Sequence, residues 1–113
     1  MKIRYALGLA LASLFPASVA SHDAPTGWSY GSNCCSNYDC RPVAAAPGDP
    51  HHPIWVEELR GGYVIHFPDG REEPVRHDSP KLKLSHDDGY HVCTSQGKDD
   101  GRLICLYVPD RGT

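Results

Sequence analysis

Much of what would assign a chemistry is missing from this sequence. There is no Cys-x-x-Cys, so the thioredoxin-type redox signature is absent. There is no Gly-x-Ser-x-Gly, so no hydrolase elbow presents a serine. No His-x-His, His-x-x-x-His or His-Glu-x-x-His spacing occurs, which removes the compact metal motifs. Basic charge is also short. Eleven Lys and Arg stand against fourteen Asp and Glu, a formal net charge of −3. No basic face is available for a phosphate backbone or an anionic lipid surface, so no nucleic-acid partner is expected. Beyond residue 20 no apolar run approaches the roughly 20 residues that cross a bilayer, so no membrane span is expected. No segment there has capped helical periodicity, and no repeat or low-complexity tract appears.

What is present begins with an address. Lys2 and Arg4 precede an apolar stretch from Tyr5 to Phe15, then Pro16 and the small run Ala17-Ser18-Val19-Ala20. This is the order of a secretory signal peptide, with Ser18 and Ala20 at the small-residue positions before a cleavage point after Ala20. An apolar stretch of about eleven residues is too short to anchor in a bilayer. No cysteine follows closely enough for lipid attachment. The expected products are a cleaved signal, 1–20, and one folded unit, 21–113, in the periplasm or secreted. Removal of Lys2 and Arg4 takes the formal charge from −3 to −5.

The folded unit has two textures. Residues 21–53 hold Pro25, Gly27, Gly31, Pro42, Pro47, Gly48, Pro50 and Pro53 with three cysteines. Proline at this density blocks helix interiors and sheet ladders alike, and predicts an irregular Cys-rich segment. Residues 54–113 read as an antiparallel β domain. Ile54–Leu59 and Tyr63–Phe67 flank the turn Arg60-Gly61-Gly62, with Tyr63, Ile65 and Phe67 on the core face. Short strands near Glu73–Arg76 and Leu82–Leu84 are confined to edges by Pro74 and Pro80. Tyr90–Ser95 and Leu103–Val108 form the last pair, the second apolar on both faces and therefore central. Asp69-Gly70, Asp88-Gly89 and Asp100-Gly101 supply turns. The fold class expected is all-β, a small antiparallel meander or open barrel of roughly four to six strands. A disulfide-tethered irregular N-terminal segment packs on it.

All five cysteines, Cys34, Cys35, Cys40, Cys93 and Cys105, fall in the exported part. In a small oxidised domain they predict two bridges and one cysteine left over, which could link two chains as a dimer. Cys34 and Cys35 are neighbours and need different partners. Two classes of pairing remain. In the local class Cys93 bonds Cys105 across the last hairpin, and Cys40 closes a small ring with Cys34 or Cys35. In the anchoring class two early cysteines bond Cys93 and Cys105, fastening the irregular half to the sheet. The anchoring class is preferred, because that half has little else to hold it.

Seven histidines, His22, His51, His52, His66, His77, His86 and His91, raise a zinc or copper reading. Its weak candidates are His51, His52, His66 and His91, against a plain reading as solvated loop histidines. No cofactor is expected. Glu57-Glu58 and Glu72-Glu73 are paired acids, but neighbours on a strand point to opposite faces, so neither pair forms a dyad. No catalytic residue is assigned, and a small cell-wall or thiol enzyme is a third reading. Trp28, Tyr30 and Tyr38 around the cysteines make the expected binding surface for a protein or carbohydrate, against a plain reading as cover for a thin core.

The stretch from His22 to Tyr30, the double-Cys loop Cys34-Cys35-Ser36-Asn37-Tyr38-Asp39-Cys40-Arg41-Pro42 and the end Ile104-Cys105-Leu106-Tyr107-Val108-Pro109 carry a likeness. In these the chain resembles small exported proteins of alphaproteobacteria and their phages. The resemblance implies a secreted bacterial origin and no activity, so no functional residue is carried over. The leading expectation is a secreted or periplasmic disulfide-stabilised binding or interaction module.

Overall fold

The computed structural model describes residues 22–35 and 39–110. The expected signal segment and Tyr38 lie outside the described residues. The fold is all-β. Its strands are β1 (Cys40–Val43), β2 (Trp55–Leu59), β3 (Gly62–His66), β4 (Glu72–Arg76), β5 (Leu82–Ser85), β6 (Tyr90–Thr94) and β7 (Leu103–Pro109). A single 3₁₀ turn at Ser95–Gly97 sits between β6 and β7. One sheet has the order β1-β6-β7-β5 and the other β2-β3-β4.

The β2–β3 hairpin follows from its glycines. Leu59 pairs with Gly62, so the loop is Arg60-Gly61 alone, one residue shorter than the Gly-Gly turn suggested. Gly62 has φ +153°, and a Cβ there would lie 2.9 Å from Arg76 Cα and nearer still to the Val75 carbonyl. Backbone cannot yield cheaply, so Gly62→Ala is expected to cost about 2–3 kcal/mol by urea denaturation. Gly61→Ala, with nothing within 4 Å of its Cβ, should stay within about 0.5 kcal/mol of wild type.

Two details depart from the sequence reading. Cys40–Val43 is a strand although it contains Pro42, because it lies on the edge of its sheet, where a missing donor is tolerated. The sheet is also not a simple antiparallel meander, because β5 pairs with β7 in parallel, Leu82 opposite Leu106 and Leu84 opposite Val108. β7 is buried almost throughout and needs a ladder on both edges. The β6–β7 hairpin closes one edge. β5 reaches the other, running in the same direction. Pro74 and the strand after Pro80 do lie at sheet edges, and β7 is central, as their composition predicts.

The four-stranded sheet is buried on both faces. Alternation sends Tyr90, Val92, Leu106 and Val108 to one side, where they meet Ile54, Val56, Ile65, Phe67 and Val75 of the second sheet. Cys40, Cys93, Cys105 and Tyr107 point to the other side, where residues 22–35 cover them with Ala24 and Tyr30. Ala44 joins the sheets. Its N–H donates to the Ile54 carbonyl at 3.0 Å, and its carbonyl accepts from Val56 N–H at 2.9 Å. Among the described residues β4 and β5 share no ladder, so the sheets do not close into a barrel.

The disulfides are Cys34–Cys105 and Cys40–Cys93, with Cα separations of 5.5 Å and 3.9 Å. This is the anchoring class. Cys93 stands opposite both Cys40 and Cys105, so the three form one row across β1, β6 and β7. Cys93 bonds along the row to β1, which leaves Cys105 to take Cys34 from the covering loop. Cys35 is outside both bridges and 1% exposed. Its Sγ lies 3.4 Å from His22 Nδ1. A disulfide-linked dimer through this cysteine would require the loop to open, because the thiol is buried.

Candidate functional site

The covering loop is built from local hydrogen bonds. Ala24 N–H donates to the Trp28 carbonyl at 2.8 Å and Gly27 N–H to the Ala24 carbonyl at 2.9 Å. Gly27, at φ +93°, takes the left-handed position of this tight turn. Asp23 and Ser29 close its neck through a 2.7 Å side-chain hydrogen bond. The result sends Trp28 and Tyr30 toward the sheet.

Tyr30 is 1% exposed, and Trp28 is half-buried against it, with centroids 4.9 Å apart. Trp28 also stacks on His86. The expected surface of Trp28, Tyr30 and Tyr38 is corrected to this extent: Tyr30 offers solvent nothing. A phenol in a disulfide-lined layer gains more from burial than from display.

Asp87, just ahead of the Asp88-Gly89 turn, is not singled out by the sequence. Asp87 gathers donors from three directions. Thr26 Oγ1 donates to Oδ2 at 2.6 Å and Trp28 Nε1 at 3.0 Å. Ser85 Oγ and Gly89 N–H both donate to Oδ1 at 2.8 Å. His91 Nε2 approaches both oxygens, at 2.9 and 3.0 Å. Burial pushes the Asp87 carboxyl upward, but the hydrogen bonds from Thr26, His91, Trp28 and Gly89 outweigh it and hold the group far below the carboxylate range. The spacing Ser85-x-Asp87-x-Gly89 is the signal that could have found it, since Asp and Ser side chains there bond their own backbone two residues on.

His91 links Asp87 to the core. It is 2% exposed, so both ring nitrogens need partners. A carboxylate only accepts, so Nε2 carries a proton. In the neutral ring Nδ1 accepts from Tyr30 O–H at 2.7 Å. Burial pushes the Tyr30 phenol well above its ordinary range, and the charge of Asp87 adds to this. The order Asp-His-hydroxyl resembles a hydrolase relay. Here the hydroxyl is sealed beneath the loop, so no substrate reaches it. The relay ties the loop to β6, and the hydrogen bond from Gly31 N–H to Tyr107 Oη at 2.9 Å ties it to β7.

Beside this network lies a recess of about 350 Å³. Pro25 and Thr26 of the loop, Pro42 and Val43 of β1, and Tyr90 and His91 of β6 line it, and Asp87, Asp88 and Gly89 border it. No Lys or Arg lines it.

The other histidines are dispersed. His52 Nδ1 meets Asp49 Oδ2 at 3.1 Å in the loop after β1, where Asp49 also accepts from His51 N–H at 2.9 Å. His66 stacks on Trp55 on the second sheet, with centroids 3.8 Å apart. His51, His52, His66 and His91 therefore do not converge. Among the described residues no three His, Cys, Asp or Glu side chains are grouped to hold a metal ion. No helix among them is long and apolar enough to cross a membrane. Comparison with protein-family models, with curated proteins and with solved structures finds no match.

Proposed function

We propose that this chain is an exported binding module whose ligand sits in the recess bordered by Asp87–Gly89. The reading rests on pre-organisation. The three walls come from three separate elements, and the Cys40–Cys93 bridge and the saturated Asp87 fix them against one another before any ligand arrives. A preformed site loses little entropy on binding. The two disulfides suit an oxidising compartment, in keeping with a periplasmic or secreted protein.

The lining describes the ligand. Pro25, Pro42, Val43 and Tyr90 offer an apolar wall. Asp87 has committed its oxygens, whereas Asp88 at the exposed rim makes no hydrogen bond among the described residues. An apolar body bearing a cationic or hydrogen-bond-donating end fits both. The test uses nuclear magnetic resonance of the labelled exported protein with short Lys- and Arg-containing peptides and alkylamines as probes. Amide shifts are expected to cluster at Thr26, Val43 and Asp88–His91. Val43→Trp, which fills the recess, should weaken binding at least about tenfold, and Asp88→Asn should do so for the cationic probes. Shifts on another face, or binding indifferent to Val43→Trp, would remove this site from consideration.

A further inference from the structure

The outer face of the second sheet breaks the rule that a solvated face is polar. Alternation places three cross-strand rows there. Trp55, His66 and Glu72 form the first, Glu57, Val64 and Pro74 the second, and Leu59, Gly62 and Arg76 the third. Leu59 is 48% exposed. The two ends of this face differ in shape and charge. At one end the half-buried Trp55 and His66 rings stack on each other, with Glu57 Oε1 3.0 Å from His66 Nε2 and Glu72 Oε1 3.5 Å from Nδ1. At the other end Gly62 has no side chain and leaves a dent of about 150 Å³ rimmed by Leu59, Val64, Pro74 and Arg76. Arg76 is 81% exposed there, its contact with Asp78 lying in solvent, and Arg60 in the adjoining hairpin turn is exposed.

We infer that this face binds a second copy of the chain. An apolar ring pair and a dent, and an acidic and a basic end, at opposite ends of one surface are self-complementary under a two-fold axis. With the axis along the middle row, the first row of one copy faces the third row of the other. The ring pair then enters the dent at Gly62, Trp55 lies against Leu59, and Glu72 meets Arg76. Val64 and Pro74 meet their own copies in the dry centre. Glu57 meets its counterpart at the rim, each already bonded to His66. The recess bordered by Asp87–Gly89 lies elsewhere and takes no part, so this inference stands or falls apart from the proposed binding function.

Sedimentation equilibrium of the exported protein tests it. A monomer–dimer equilibrium with a dissociation constant of about 1–100 µM is expected for an interface of three short strands. Val64→Asp places a carboxylate in the dry centre and Leu59→Asp places one against Trp55 of the other copy, and each should weaken it at least about tenfold. Glu72→Arg should weaken it through like charge, and Glu72→Arg with Arg76→Glu should restore it to within about threefold. Circular dichroism verifies that each variant is folded. Only monomer up to about 1 mM overturns the inference. So does a dimer that neither Leu59→Asp nor Val64→Asp disturbs.

Discussion

Reduction of the two disulfides is expected to unfold the domain near physiological temperature. The bridges span 71 and 53 residues. Loop-closure entropy for rings of this size amounts to about 4 kcal/mol each. Small domains retain about 5–15 kcal/mol in total, so losing both removes most of it. The structural reason is visible in the second core. Four of its eight fully buried members, Cys34, Cys40, Cys93 and Cys105, are the bridged cysteines themselves. Thermal melts followed by circular dichroism with and without reductant provide the measurement. Cys40→Ser with Cys93→Ser should lower the melting point by more than about 10 °C. In the native state thiol reagents should label almost nothing, and denaturation without reductant should expose one thiol per chain, that of Cys35. A reduced and alkylated chain that stays folded would contradict the whole account of how residues 22–35 are held.

The second large effect concerns Asp87. Asp87→Ala leaves Trp28 Nε1 and His91 Nε2 facing an empty site, with the His91 ring 2% exposed. Orphaned buried donors cost about 1–3 kcal/mol each, and those bonded to a carboxylate lie at the upper end. A loss of roughly 3–5 kcal/mol is expected by denaturant titration. The pH dependence has a definite sign. The folded carboxyl is depressed, since hydrogen bonds outweigh burial. Its contribution is therefore complete above the unfolded value of about 4 and declines as pH falls from there toward the folded value. Wild-type stability should drop below about pH 4 with a slope from this group of up to 1.4 kcal/mol per pH unit. Asp87→Asn should lack that part of the slope. Equal slopes in the two proteins would place the carboxylate outside the network.

Legibility divided along physical lines. Strand content, the edge positions of Pro74 and β5, and the central place of β7 were readable because local composition dictates them. A β-branched run bounded by glycine or proline has few other fates. β1 was hidden because Pro42 masks an edge strand, and the parallel pairing of β5 was hidden because strand order is not a local property. The histidines were legible as residues but not as groups, since His52, His66 and His91 each found a different carboxylate. Tyr30 and Asp87 were misjudged for one shared reason. A phenol in a proline-rich loop and an aspartate beside a second acid in a turn both look solvated until the loop folds over the sheet.

By itself, then, the sequence determined an all-β chain carrying two bridges and one further cysteine, because the cysteine count is fixed by composition and strand-forming runs act over a few residues. Tertiary structure alone decided that Cys93 bonds Cys40 rather than Cys105, which stands opposite it on the other side. It alone joined Thr26 and Trp28 to Asp87 across about sixty residues of chain, and left a recess beside them. Both outcomes depend on which surfaces meet when the covering loop docks, and no local pattern encodes that meeting.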